Sequence, residues 1–283
     1  MTTIAVIGAG PLGGALARTL AERDRVRHIR LIDPDVRVAE GKALDILESS
    51  PIEGFTTRLD AAPTIAAAAG ADVIVLADLV SGGEIAGEPG LALVRQLARM
   101  EPSSPFLFAA AGQRELMSRS ISELHIAPQR LLGSAPLALE SAVRAVVAAL
   151  LDGSPLDLAI GIAGVPPVNA VIAWDAATAF NQPLARVLAP HRMAAVSSRL
   201  PALWPPAPYT LASAGARIAE ALACGGRRRF TCFAAIERSD EGRDLVAAVP
   251  VEIVRGAIGR VIEPALSRHE RTAFENGLQC SRG

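Results

Sequence analysis

With 283 residues the chain has room for one large domain or two medium ones. Twenty-eight basic residues against 29 acidic ones leave a formal charge of −1, with no basic excess to neutralise a nucleic-acid backbone or an anionic bilayer, so neither is expected as a partner. Mean hydropathy is positive at +0.33, yet the apolar runs at 73–77, 106–111 and 145–151 fall well short of the roughly 18 residues that a spanning helix needs. No charged leader precedes the first apolar run, Ile4-Ala5-Val6-Ile7, and the expectation is a soluble, cytoplasmic protein.

The first half alternates short apolar or β-branched runs with longer helical patterns, which is the signature of βαβ units on a parallel sheet. Strands are predicted at 4–7, 29–32, 73–77, 106–110 and 130–132. Between them, helices are predicted at 12–23, 39–49, 91–100 and 115–124, where apolar residues recur at three- and four-residue spacing. Order and spacing predict a doubly wound α/β domain over 1–135. After Pro136 the pattern changes to a long helix at 139–151, a pair of strands around 158–171, and helices at 184–199 and 211–224. Strands at 229–236 and 245–254 and a closing helix from Ser267 follow. This reads as an α+β second domain, 136–283, with a proline-rich loop at 203–208.

Cys224, Cys232 and Cys280 are odd in number and lack CxxC spacing, which argues against a disulfide framework and a zinc site. No metal is expected. Lys42 is the sole lysine, a bias attributed to base composition.

Gly8-Ala9-Gly10-Pro11-Leu12-Gly13 directly follows the first strand and opens a helix, the context in which a G-x-G-x-x-G turn cradles a dinucleotide. The first glycine permits the tight turn, the second lets backbone approach a diphosphate, and the third lets helix and strand pack closely. Asp33 ends the second strand about twenty residues on, where a carboxylate accepts bonds from ribose hydroxyls and repels a 2′-phosphate. The predicted cofactor set is therefore Gly8, Gly10, Leu12, Gly13 and Asp33, with NAD preferred over NADP. Similar turns also serve unrelated strand-to-helix corners and flavin sites. Pro11 has no N–H to offer a phosphate, although its fixed φ suits the first turn of a helix.

The segment from Gly41-Lys42-Ala43-Leu44-Asp45-Ile46 through Ser50-Pro51-Ile52-Glu53-Gly54-Phe55 resembles the region after the second strand in the lactate-dehydrogenase-like malate dehydrogenases. Residues 4–14 resemble the opening strand and turn of that lactate/malate dehydrogenase family. Residues 71–77 resemble its fourth strand, and 249–274 its closing strands and helix. The resemblance implies a Rossmann domain followed by a substrate-type α+β domain, NAD as cofactor, a 2-hydroxy acid as substrate, and a homodimer or homotetramer. Its subunit contacts would lie at 39–49 and 211–224.

The chemistry of that family needs a histidine to move a proton, a carboxylate to orient it, and arginines to clamp and polarise the substrate. On the resemblance, Pro166 stands where the histidine belongs and Glu140 where the carboxylate belongs. Val143 stands at the substrate arginine, with Arg144 turned away by about 100° around the helix. The loop at 81–90 carries Glu84 and Glu88 and no arginine, and Ala110-Ala111 replace an Asn-Pro pair. That loop with its helix, and the helix before Pro205, read as shortened. No catalytic residue is therefore assigned. His28, His125, His191 and His269 read as surface residues. Tyr209 and Asn169 are the remaining polar groups in segments that line the family's pocket, and Arg227-Arg228-Arg229 reads as a solvated strand start.

Two readings of function stay open. One is a divergent NAD-dependent oxidoreductase acting on another substrate through another acid–base group. The other is a catalytically silent NAD-binding sensor or partner subunit, a pseudoenzyme. A third possibility, loss of cofactor binding as well, hangs on Pro11 and Ala110.

Overall fold

The computed structural model describes residues 2–236 and 245–280. In chain order the first half comprises β1 (Thr3–Ile7), α1 (Pro11–Glu22), β2 (His28–Ile32), α2 (Val36–Glu53), β3 (Arg58–Ala62) and β4 (Val73–Leu76). A two-rung hairpin, β5 (Asp78–Leu79) and β6 (Gly83–Glu84), leads into α3 (Gly87–Met100), β7 (Phe106–Phe108), α4 (Arg114–Ser122) and β8 (Leu131–Gly133). The second half comprises α5 (Ala135–Leu150), β9 (Leu158–Ala159), β10 (Ile162–Val165), β11 (Asn169–Ile172), β12 (Thr178–Ala179), β13 (Gln182–Pro183), α6 (Pro190–Arg199), α7 (Pro208–Cys224), β14 (Arg228–Ile236), β15 (Leu245–Val254), β16 (Ala257–Val261) and α8 (Arg268–Cys280).

The protein is α/β, with a mainly parallel sheet in the order β3-β2-β1-β4-β7-β8. β1, β4 and β7 are buried on both faces, as strands covered by helices on each side must be. The strand order reverses between β1 and β4, and in open sheets of this kind ligands bind in the crevice outside the carboxyl ends of the strands at that point. The first helix buries Leu12, Leu16, Ala17 and Leu20. The second is capped by the Asp35 carboxylate on the Val38 amide (3.4 Å) and stops at Gly54, whose φ of +79° suits glycine.

A boundary at residue 135 falls at the start of α5, where the chain leaves the parallel strands. The sheet itself runs on: β14 pairs antiparallel with β8 at Phe233 and Gly133, followed by β15, β10 and β11, while β16 pairs farther along the edge of β15 that also meets β10. α7 returns to pack on α1, where Gly215 lies against Leu16. One apolar core therefore joins the parallel sheet to α7, β14 and β15, and a smaller one forms under α5 from Leu139, Val143, Val147 and Ile162.

Several predicted elements need correction. The helix expected over 184–199 is a single 3-10 turn (Leu184–Arg186) followed by α6, because Pro190 has no amide to continue the first turn and instead opens the second. β3 and β16 are strands that the sequence reading omits. No helix among the described residues is long and apolar enough to cross a membrane.

Candidate functional site

β1 delivers the chain into the glycine turn at the carboxyl edge of the sheet. Gly8 takes φ +104°, and its amide bonds the Ile32 carbonyl at 2.7 Å. A Cβ at Gly13 would stand 2.0 Å from the Gly8 carbonyl oxygen, so the third glycine does permit close helix–strand packing. Pro11 occupies the first position of α1.

The space around the first two glycines is filled from within. Asp78, at the start of β5, accepts the Gly10 amide on its backbone oxygen at 2.8 Å. Its carboxylate accepts the amides of Leu12 (3.1 Å) and Gly13 (2.8 Å), one on each oxygen. These are the free donors at the α1 N-terminus, where the helix dipole favours an anion. A Cβ on Gly10 would lie 2.5 Å from the Asp78 carboxyl carbon, and one on Gly8 would lie 2.3 Å from the Asp78 carbonyl oxygen.

Asp33 is fully buried. One carboxylate oxygen accepts the amides of Ala9 (2.9 Å) and Val80 (3.0 Å), and the other accepts the Asp35 amide (2.9 Å). Lys42 donates from Nζ to the carbonyls of Ala9 (2.6 Å) and Gly10 (2.9 Å), bracing the turn from its other side.

The segment beyond Asp78 is pinned as well. Glu84 accepts the Gly112 amide (2.9 Å), and buried Gln113 donates to the carbonyls of Ala77 (3.2 Å) and Ile85 (3.3 Å) while accepting the Ala110 amide (3.0 Å). Glu88 pairs with Arg119 at 2.5 Å. The two glutamates of the 81–90 loop are thus structural partners.

A cavity of about 610 Å³ opens between α5, α7 and β14, lined by Glu140, Arg144, Tyr209, Ser213, Arg217 and Thr231, among others. Glu140 accepts hydrogen bonds from the Thr231 hydroxyl and the Arg144 guanidinium. Burial pushes its carboxyl above the ordinary range, and the opposing pull of Arg144 and Thr231 is the smaller effect. Arg144, discounted on its helical angle, does reach Glu140 one turn back, and its Nε has no partner among the described residues. Val143 is sealed in the core beside Leu139 and Val147.

Of the other candidates, Pro166 is buried just beyond β10 and does not line the cavity. Asn169 packs against Gly277 of α8. Ala110 is buried beneath Gln113. His28 pairs with Asp60 at 2.9 Å, while His125, His191 and His269 are exposed. Arg228 pairs with Glu220, and Arg229 lies on the cavity rim. Cys232 is buried, its thiol pushed up by desolvation, whereas Cys224 and Cys280 are exposed. No group of three or more metal-ligating side chains occurs among the described residues. The sequence reading missed Asp78, Lys42 and Thr231. Only Asp78 leaves a signal there, as an acid closing an apolar strand run.

No family model matches the chain. It is 27% identical over 98% of its length, and 96% of the relative's, to a malate dehydrogenase of Thioalkalivibrio sulfidiphilus. Among solved structures, malate dehydrogenase from Salinibacter ruber superposes with a TM-score of 0.88 at 24% identity, covering 99% of this chain and 95% of that one. Lactate dehydrogenase from Cryptosporidium parvum, complexed with lactic acid and nicotinamide adenine dinucleotide, gives 0.87 at 19%, covering 98% and 95%. The structural likenesses establish the fold, and the sequence likeness runs the whole length of both chains. From end to end, then, the chain is similar in sequence to malate dehydrogenases and shares the fold of the malate and lactate dehydrogenases.

Proposed function

We propose that this malate/lactate dehydrogenase-like protein is catalytically silent toward malate and lactate and acts as a sensor or partner subunit in a homodimer or homotetramer. The observation that carries the reading is Pro166. It stands where the resemblance puts the proton-transferring histidine, and among the described residues no histidine lines the Glu140 cavity to replace it. A proline has no titratable group, so the acid–base contribution, commonly 10²–10⁴-fold, has no carrier there. Val143 at the arginine position and an arginine-free 81–90 loop remove the groups that would bind and polarise a 2-hydroxy acid.

The family is NAD-dependent, and Gly8, Gly10, Leu12, Gly13 and Asp33 are where this chain would hold the dinucleotide. In their present arrangement they do not fit it. The amides of Leu12 and Gly13 and the Asp33 carboxylate are already paired with groups of the chain itself.

Purified protein is expected to oxidise no NADH above the buffer rate with oxaloacetate or pyruvate. Turnover with either substrate, lost in a Glu140→Gln variant, refutes the proposal. A second reading, an oxidoreductase for another substrate, is favoured by the cavity itself, where a buried carboxyl of raised pKa is paired with Arg144 and Thr231 and the walls add Arg217, Tyr209 and Ser213. Turnover confined to other 2-oxo acids in the same assay selects it.

A further inference from the structure

We infer that the chain closes its own dinucleotide seat, with Asp78 supplying the anion that a diphosphate would otherwise bring to the N-terminus of α1. The inference rests on the cofactor part of the reading above and is independent of whether the protein turns over a substrate.

An acid near a helix N-terminus is ordinarily a cap and nothing more. Three separate observations make this one a plug. The first is the geometry of the two amides. Each oxygen of the carboxylate takes one donor, Leu12 at 3.1 Å and Gly13 at 2.8 Å, so the pair offers no free N–H to a phosphate. Pro11 supplies none in their stead.

The second is the use made of the glycines. The opening that Gly10 provides by lacking a side chain, which admits a diphosphate in dinucleotide-binding turns, holds the Asp78 carboxylate, with Cγ and Oδ2 each 2.5 Å from where a Cβ would stand. The turn is therefore built around an internal anion.

The third lies at Asp33, whose role toward a ribose requires free acceptor oxygens. Each already accepts at least one backbone amide, the side chain is fully buried, and one of the donors, the Val80 amide, comes from the same segment as Asp78. That segment also holds the carboxyl edge of the sheet at its far end, through Glu84 on the Gly112 amide and the Ile85 carbonyl on Gln113. Residues 78–85 thus strap the crevice between β1 and β4 from side to side. A dinucleotide entering there must displace a carboxylate and bring its own negative charges beside it.

The test is calorimetric titration of NADH, with inorganic pyrophosphate as a second probe. The proteins compared are the wild-type chain, Asp78→Gly and Asp78→Asn. The asparagine variant keeps size and one capping oxygen while removing the charge, so it remains readable if the glycine variant fails to fold. NADH is expected to bind a folded Asp78 variant at least about tenfold more tightly than the wild type, and pyrophosphate binding should rise with it. An equal or weaker affinity in the variants overturns the inference, as does the absence of NADH binding in all three proteins. Turnover with oxaloacetate is read separately. A variant that binds NADH and still consumes none sustains both proposals, whereas one that binds and turns over sustains the plug and sinks catalytic silence.

Discussion

Two buried glutamates respond to their surroundings in opposite ways. At Glu140 burial dominates and the carboxyl lies above its ordinary value of 4.5, so the folded state binds the proton more tightly than the unfolded chain does. Its stabilising contribution is complete below pH 4.5 and is lost as pH rises through the folded value. A neutral amide escapes that loss. Glu140→Gln is therefore expected to be at least as stable as the wild type at pH 7, by up to about 1 kcal/mol, with the advantage vanishing as pH falls toward 4.5. Thermal melts across that range read it directly, and a Glu140→Gln variant less stable at pH 7 than at pH 5, relative to wild type, contradicts it.

At Glu220 burial also acts to raise the carboxyl, but hydrogen bonds from Arg23 (2.6 Å) and Arg228 (3.0 Å) outweigh it and the group ends below 4.5. Here the contribution is present above pH 4.5 and disappears as pH falls through the lowered value. Glu220→Gln is expected to cost about 1–2 kcal/mol at pH 7, since the arginines that remain are partly exposed and regain water. Urea unfolding at pH 7 and again in acid measures the loss and its disappearance.

Between elements, one close constraint is the contact of α1 with α7. Glycine inside a helix costs roughly 1 kcal/mol against alanine, and Gly215 is tolerated because the helices approach too closely for a side chain. A Cβ there would stand 2.6 Å from Leu16 Cδ1 and 3.7 Å from the Ala109 Cβ. Gly215→Ala is expected to destabilise by about 1–3 kcal/mol despite the gain in helix propensity, because Leu16 must move or α7 must lift from α1. A variant with a raised melting temperature would show the contact to be loose.

The same scale explains which elements are legible in the sequence. β1, β4 and β7 bury both faces and read as unbroken apolar runs. β3 lies at the sheet edge, and its Arg58-Leu59-Asp60 alternates exposed and buried positions over too few residues to stand out. β5 and β6 span two residues each and pair only with one another, too short for any alternation to show in the sequence. Asp78 is the clearest case: its partners lie 65 and 66 residues away, so periodicity shows an acid ending a strand and nothing of where its carboxylate points. The glycine turn was legible as a turn, while the identity of the anion on it was not.

For the molecule as a whole, the unpartnered surface of α2 bears on assembly. Of its eighteen residues, only Ala39, Ala43 and Ile46 are buried against the subunit's own sheet, although the helix carries further large apolar side chains. Leu44 is 58% exposed and Ile52 86% exposed, and eight residues of separation place them within about a quarter turn of one another around the helix. A helix on a doubly wound sheet needs one apolar stripe for its own subunit, and a second exposed one gains by meeting a copy of itself in a symmetric pair. The occupant proposed for this face is a second copy of the chain, as the resemblance over 41–55 implies. Light scattering at micromolar concentration is therefore expected to give the mass of two or four chains of 29.4 kDa. The double variant Leu44→Asp, Ile52→Asp should shift that mass toward a single chain while its far-ultraviolet dichroism stays that of the wild type, since both side chains lie outside the core. A wild-type mass of one chain that persists on concentration would defeat the assignment, and an oligomer indifferent to both substitutions would move the interface elsewhere.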